Sequence, residues 1–100
     1  MKTKKINDLE VALGQMGKKF DLLIIKSISK NKGRIGFNQL LKDIPSLNPR
    51  TLSTRLKDLE QNKIITKALI IGTPVKTEYA LTEKGKKLIP LIKQIEEWVK

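Results

Sequence analysis

The chain has 100 residues, 39% hydrophobic and 31% charged, with 21 Lys and Arg against 10 Asp and Glu, a net charge of +11 and a pI near 10.0. That points to one domain over residues 1–100 with a single modest core, and the basic excess favours a polyanionic partner, nucleic acid before a membrane surface. The absence of Cys and His excludes a disulfide scaffold, a thiol switch, Cys/His zinc centres and His-based triads.

The positive charge is spread along the chain, so it belongs to a folded surface and not to a tail. No apolar run approaches the roughly 20 residues of a membrane span. "MKTKKIND" has no apolar stretch of signal-peptide length behind its lysines, so a cytoplasmic protein with no membrane attachment is expected.

In "NDLEVALGQMG", Asn7 is a candidate N-cap with Glu10 three residues on, the spacing of a capping box. Leu9, Ala12, Leu13 and Met16 share one face, predicting a helix over about 7–16 that stops at Gly17. "KKFDLLIIKSISKNKG" predicts a central helix with a stripe of Phe20, Leu23, Ile24 and Ile28, widened by Leu22 and Ile25. "GRIG" has room only for a very short strand. "FNQLLKDI" places Phe37, Leu40, Leu41 and Ile44 on one face of a short helix ended by Pro45.

Next comes "SLNPRTLSTRLKDLEQNKIITK". Asn48 is a good N-cap, Pro49 suits the first helical position, and Leu52, Leu56 and Leu59 carry an apolar face to about Asn62. "KIITKALII" and "VKTEYALT" read as two strands around "GTP" turn chemistry, a hairpin with its tip near Gly72–Lys76. Thr82 caps a last helix over 83–99. Leu88, Leu91, Ile92, Ile95 and Trp98 lie on one side of it, and Pro90 is expected to kink it. The order α-α-(β)-α-α-β-β-α is mostly α with a small β-hairpin, an α+β winged helix-turn-helix.

Stepping 100° per residue from Leu52 keeps Leu56 and Leu59 on the inner face of the 49–62 helix. Arg50, Thr54, Lys57 and Gln61 point away, with Thr51, Ser53 and Asp58 on the flanks. Arginine and lysine suit phosphates and guanine edges, and threonine suits phosphates or a thymine methyl. Arg50, Thr51 and Thr54, nearest the N-terminus, would enter a major groove first. An ordinary solvated helix face is the bland alternative, and the proline-containing connection, the downstream hairpin and the net charge weigh against it.

"MGKKFDLLIIKSI", "GRIGFNQLLKDIPSLNPRTLSTRLKDLEQNKIITK" and "PVKTEYALTEKGKKLIPLIKQIEEW" together resemble the HxlR-type winged helix-turn-helix transcriptional regulators, within the MarR-like superfamily. The resemblance runs from roughly Leu9 to Trp98 and is most specific in "LNPRTLSTRLKDLE" and "EYALTEKGKKLIP". It implies a homodimeric regulator of transcription that binds double-stranded DNA, with the Arg50-to-Lys57 helix in the major groove and terminal helices building the dimer. Two departures stand out. The segment "TKKINDLE" lacks the cysteine that many members carry before the first helix, which excludes thiol sensing, and Phe20 stands where a tryptophan is usual.

At the wing, Thr73, Lys76 and Lys67 are candidate contacts to a flanking phosphate or the minor groove, with a solvated loop charge as the bland alternative. Arg34 and Asn38 are candidate phosphate contacts, with a local cap as the alternative for Asn38. Arg55 lies beside the leucine stripe, placed either to reach a phosphate or to pair with a carboxylate. Leu91, Ile95, Trp98 and Val99 of the last helix, with Leu9, Leu13 and Met16 of the first, could bury one another within one chain or form a two-fold interface, and the interface is favoured because a lone winged helix reads only a half-site. No metal, cofactor or catalytic group is expected, and no small-molecule effector is indicated. The rival readings are a winged-helix protein-interaction module and a nonspecific architectural DNA-binding protein.

Overall fold

The computed structural model describes residues 7–11 and 20–100. Its elements are α1 (Asp21–Lys30), β1 (Arg34–Gly36), α2 (Phe37–Asp43), α3 (Pro49–Gln61), β2 (Ile65–Ile70), β3 (Lys76–Leu81), α4 (Glu83–Lys86) and α5 (Leu88–Val99). Of the predicted N-terminal helix only the start is described, and it forms the expected capping box. Glu10 N–H donates to Asn7 Oδ1 at 2.8 Å, and Asn7 N–H donates to Glu10 Oε1 at 3.4 Å. Leu13 and Met16 lie outside the described residues.

Helix α1 is central because its buried arc carries three fully buried isoleucines, Ile24, Ile25 and Ile28. Leu23, expected on this stripe, is 43% exposed, since the buried arc runs through residues 21, 24, 25, 27 and 28 and position 23 falls just outside it. Leu40 and Ile44, then Leu47, Leu52, Leu56 and Leu59, close one side of the core. Ile64, Ile65, Tyr79, Leu81 and Ile92 close the other.

The very short strand β1 is not isolated. It pairs antiparallel with β3, and β2 pairs with the opposite side of β3, giving the order β1-β3-β2. The registers Ile65↔Leu81 and Ile35↔Tyr79 put four side chains of one sheet face into the core. Beyond Ile65 the β2–β3 hairpin leaves the body as a wing: Thr66 to Lys76 are all exposed, including Leu69 and Ile71. The Thr73–Pro74 peptide at its tip is cis.

The turn after α3 is a Schellman motif. Lys63 takes φ +61°, its N–H donates to Glu60 C=O at 3.0 Å, and Ile64 N–H donates to Leu59 C=O at 2.9 Å. Leu59 and Ile64, the apolar pair of that motif, are both buried. The last helix, expected as one element over 83–99 kinked at Pro90, is instead two, and the break falls at Lys87, between α4 and α5. Pro90 lacks the N–H that would bond Lys86 C=O, and its ring crowds that carbonyl, so the helix is interrupted upstream and restarts with Pro90 in its first turn. Helix α5 buries Ile92 and partly buries Leu88 and Ile89, and Lys26 of α1 pairs with Glu96 across the contact.

Candidate nucleic-acid interface

Two local devices present α3. Asn48 Oδ1 accepts from Thr51 N–H at 2.8 Å, satisfying one of the unpaired amides of the first turn, and Pro49 occupies the first helical position without loss. Leu52, Leu56 and Leu59 are then at most 2% exposed, which anchors one face in the core. Arg50, Ser53, Thr54, Lys57 and Gln61 are exposed on the other side, and Thr51 is half-buried at the flank. The leucine stripe therefore decides which polar residues face out.

The outward groups differ in what they offer. The Thr54 hydroxyl donates to Arg50 C=O at 3.1 Å, so its hydrogen is used within the helix and its γ-methyl and lone pairs remain for a partner. Among the described residues, none of Arg50, Lys57, Lys67 and Lys76 is in an ion pair. Each is thus a cation with only counterions to displace. Arg34 Nε lies 3.5 Å from Glu78 Oε1, but its side chain is 64% exposed, and an exposed pair of that length is weak.

Asn38 is exposed, and Gly36, the N-cap of α2, receives no side-chain cap bond, so the local-cap alternative for Asn38 is not realised. The structure brings Asn38 and Lys76 to one cleft of about 430 Å³ between the start of α2 and the wing. Thr73 is exposed in the loop beside it.

Arg55 requires a correction. Its Nε and Nη2 donate to Asp21 Oδ1 and Oδ2 at 2.7 and 3.0 Å, and its Nη1 donates to Asp58 Oδ2 at 2.6 Å. The guanidinium is turned into the body, its side chain is 12% exposed, and its hydrogen bonding to the Asp21 carboxylate raises its pKa above the ordinary value. Of the two placements open to Arg55, the carboxylate pairing is the one adopted, and Arg55 leaves the set of DNA contacts. Sequence reasoning missed Asp21, although a lone carboxylate inside "FDLLII" is itself a signal that a buried cation must answer it.

The described members of the expected two-fold interface are all solvent-facing in the single chain: Leu9 66%, Leu91 45%, Ile95 49%, Trp98 83% and Val99 72% exposed. Leu91, Ile95 and Trp98 line one continuous apolar groove on α5. Among the described residues there is no cluster of three metal-ligating side chains and no helix long and apolar enough to cross a membrane.

The profile of HxlR-like helix-turn-helix proteins matches residues 15–100. The HTH-type transcriptional regulator YodB of Bacillus subtilis (strain 168) is 36% identical over 90 residues, covering 90% of this chain and 79% of that protein. An uncharacterised HTH-type transcriptional regulator of Methanothermobacter thermautotrophicus is 33% identical, covering 92% and 69%. The structure of reduced YodB superposes with a TM-score of 0.80 at 34% identity, over 95% of this chain and 91% of that one. A MarR-family regulator structure from Porphyromonas gingivalis W83 superposes with a TM-score of 0.83 at 29% identity, over 95% of each chain.

Proposed function

This chain belongs to the HxlR-like helix-turn-helix family, and on that premise we propose that it binds specific double-stranded DNA sites as a homodimer, with α3 of each subunit in the major groove and the wing over 70–78 on flanking DNA. It is a DNA-binding transcription regulator of the winged helix-turn-helix type, not an enzyme. The observation that carries the proposal is the two-sidedness of α3: three leucines sealed in the core against Arg50, Thr54 and Lys57 in solvent. A protein-interaction module would be expected to put apolar anchors on that outward face, and it has none.

Arg50, Thr51 and Thr54 supply the sequence discrimination, Ser53 and Lys57 the adjoining contacts, and Lys76, Thr73, Arg34 and Asn38 the phosphate contacts that fix register. Leu9, Leu91, Ile95, Trp98 and Val99, joined by Leu13 and Met16, form the two-fold interface. A dimer of this kind spaces its reading helices about 34 Å apart, one turn of DNA. With no cysteine in the chain, its regulation does not run through a thiol.

The test is a fluorescence-anisotropy titration against a site selected from random duplexes and against its scramble, at several salt concentrations. Tighter binding to the selected site, with a steep salt slope on both, is expected. Equal affinity for the two would leave an architectural protein, and no binding at moderate salt would overturn DNA binding.

A further inference from the structure

Asp21 is the one charged side chain with no solvent exposure among the described residues. A buried carboxylate is costly unless every lone pair is answered. Here both oxygens are answered by one fork, Nε and Nη2 of Arg55, at 2.7 and 3.0 Å. The partners are 34 residues apart and join the first turn of α1 to the middle of α3. Asp58 takes the remaining side of the guanidinium.

The leucine face of α3 resists withdrawal from the core, but apolar contact is non-directional and resists rotation about the helix axis poorly. A bidentate carboxylate–guanidinium pair lies in a fixed plane and does resist it. A rotation of about 30° moves a side chain roughly 6 Å from the axis by about 3 Å, the length of a hydrogen bond. Such a rotation would take Arg50 and Thr54 off the atoms they read.

We propose that Asp21 is a positioning residue for DNA reading: through Arg55 it fixes the rotational setting of α3, and with it which outward side chains meet the bases. The inference rests on the DNA-binding reading above. It assigns Arg55 to the aiming of α3 and not to contact with DNA.

The test compares the parent protein with two variants, Asp21→Asn and the double variant Asp21→Leu/Arg55→Met. Melting temperature, affinity for the parent's selected site, affinity for a scrambled duplex and the salt slope are measured for each. The double variant replaces a buried ion pair by apolar groups of similar size, an exchange that is often neutral or stabilising. It is expected to melt near the parent temperature and to bind scrambled DNA with unchanged affinity and salt slope, while the ratio of selected to scrambled affinity falls about tenfold. Asp21→Asn keeps the shape without the charge, and its ratio is expected to fall as well, measured below its own melting temperature. A parental ratio in either folded variant overturns the positioning role, because packing alone would then set α3. If the parent protein itself selects no site, the DNA-reading premise fails instead, and the parent arm alone reveals it.

Discussion

A β-carbon placed on Gly85 would stand 2.3 Å from the carbonyl oxygen of Ile64. The approach is imposed by Thr82, whose hydroxyl accepts from Gly85 N–H at 3.1 Å and donates to Lys63 C=O at 2.6 Å, while its own N–H donates to Ile64 C=O at 3.0 Å. The turn that starts α4 is thereby laid on the turn that ends α3.

Gly85→Ala therefore forces backbone against backbone and is expected to cost about 1–3 kcal/mol, as overpacking of a well-filled site does. Thermal unfolding should show a drop of several degrees per kcal/mol. An unchanged melting temperature would mean that α4 shifts freely, against the Thr82 bonds just described.

Arg50→Ala should weaken binding to the selected site by about 1–3 kcal/mol and relax specificity at the base pair it reads. The check is parallel titration of selected and scrambled duplexes. Equal losses on both would make Arg50 a phosphate contact.

Lys76→Ala removes an exposed, unpaired cation near the tip of the wing, where β3 begins. Affinity should fall almost equally on all sequences, and the logarithmic salt slope should flatten by about 1. A loss confined to the selected site would contradict its assignment to phosphate.

Asp43 accepts from Ser27 Oγ at 2.7 Å, Gln39 Nε2 at 2.8 Å and Asn31 Nδ2 at 3.1 Å, and these bonds, Ser27 first, hold its carboxyl below the ordinary 3.8. A depressed folded value stabilises the fold above the unfolded pKa, and that contribution is lost as pH falls through the folded one. Carboxyl NMR titration should find Asp43 below the ordinary range, and Ser27→Ala should raise it.

Trp98 is the only tryptophan and is 83% exposed in the single chain. If two copies meet through α5, its emission shifts to the blue as protein concentration rises. Ile95→Asp should abolish that shift and halve the mass in sedimentation. A parent mass of one chain at all concentrations would refute the interface.

Periodicity made most of this legible. The stripe at Leu52, Leu56 and Leu59 is a local regularity, so both faces of α3 followed from it, as did the Asn48 cap and the hairpin. What depends on a distant partner was not legible. Arg55 sits beside the stripe on any helical wheel, and only the fold brings Asp21 to it. The pairing of β1 with β3 and the exposure of Leu23 have the same origin, a packing direction set by other elements. The break at Lys87 instead of Pro90 was missed for a local reason: proline disturbs the carbonyl four residues upstream.

Strand β2 is outermost in the sheet, and its far side carries backbone donors and acceptors that no other strand among the described residues takes up. Beside them stand Leu69, 61% exposed, and Ile71, 84% exposed. Such a rim is a template onto which another chain can add, and the charge of Lys67 in its middle discourages this. Lys67→Ala, the natural companion to the Lys76 variant, therefore removes a restraint on self-association along with any phosphate contact. Protein concentration separates the two effects: a lost phosphate contact weakens DNA binding equally at every dilution, whereas strand addition vanishes on dilution.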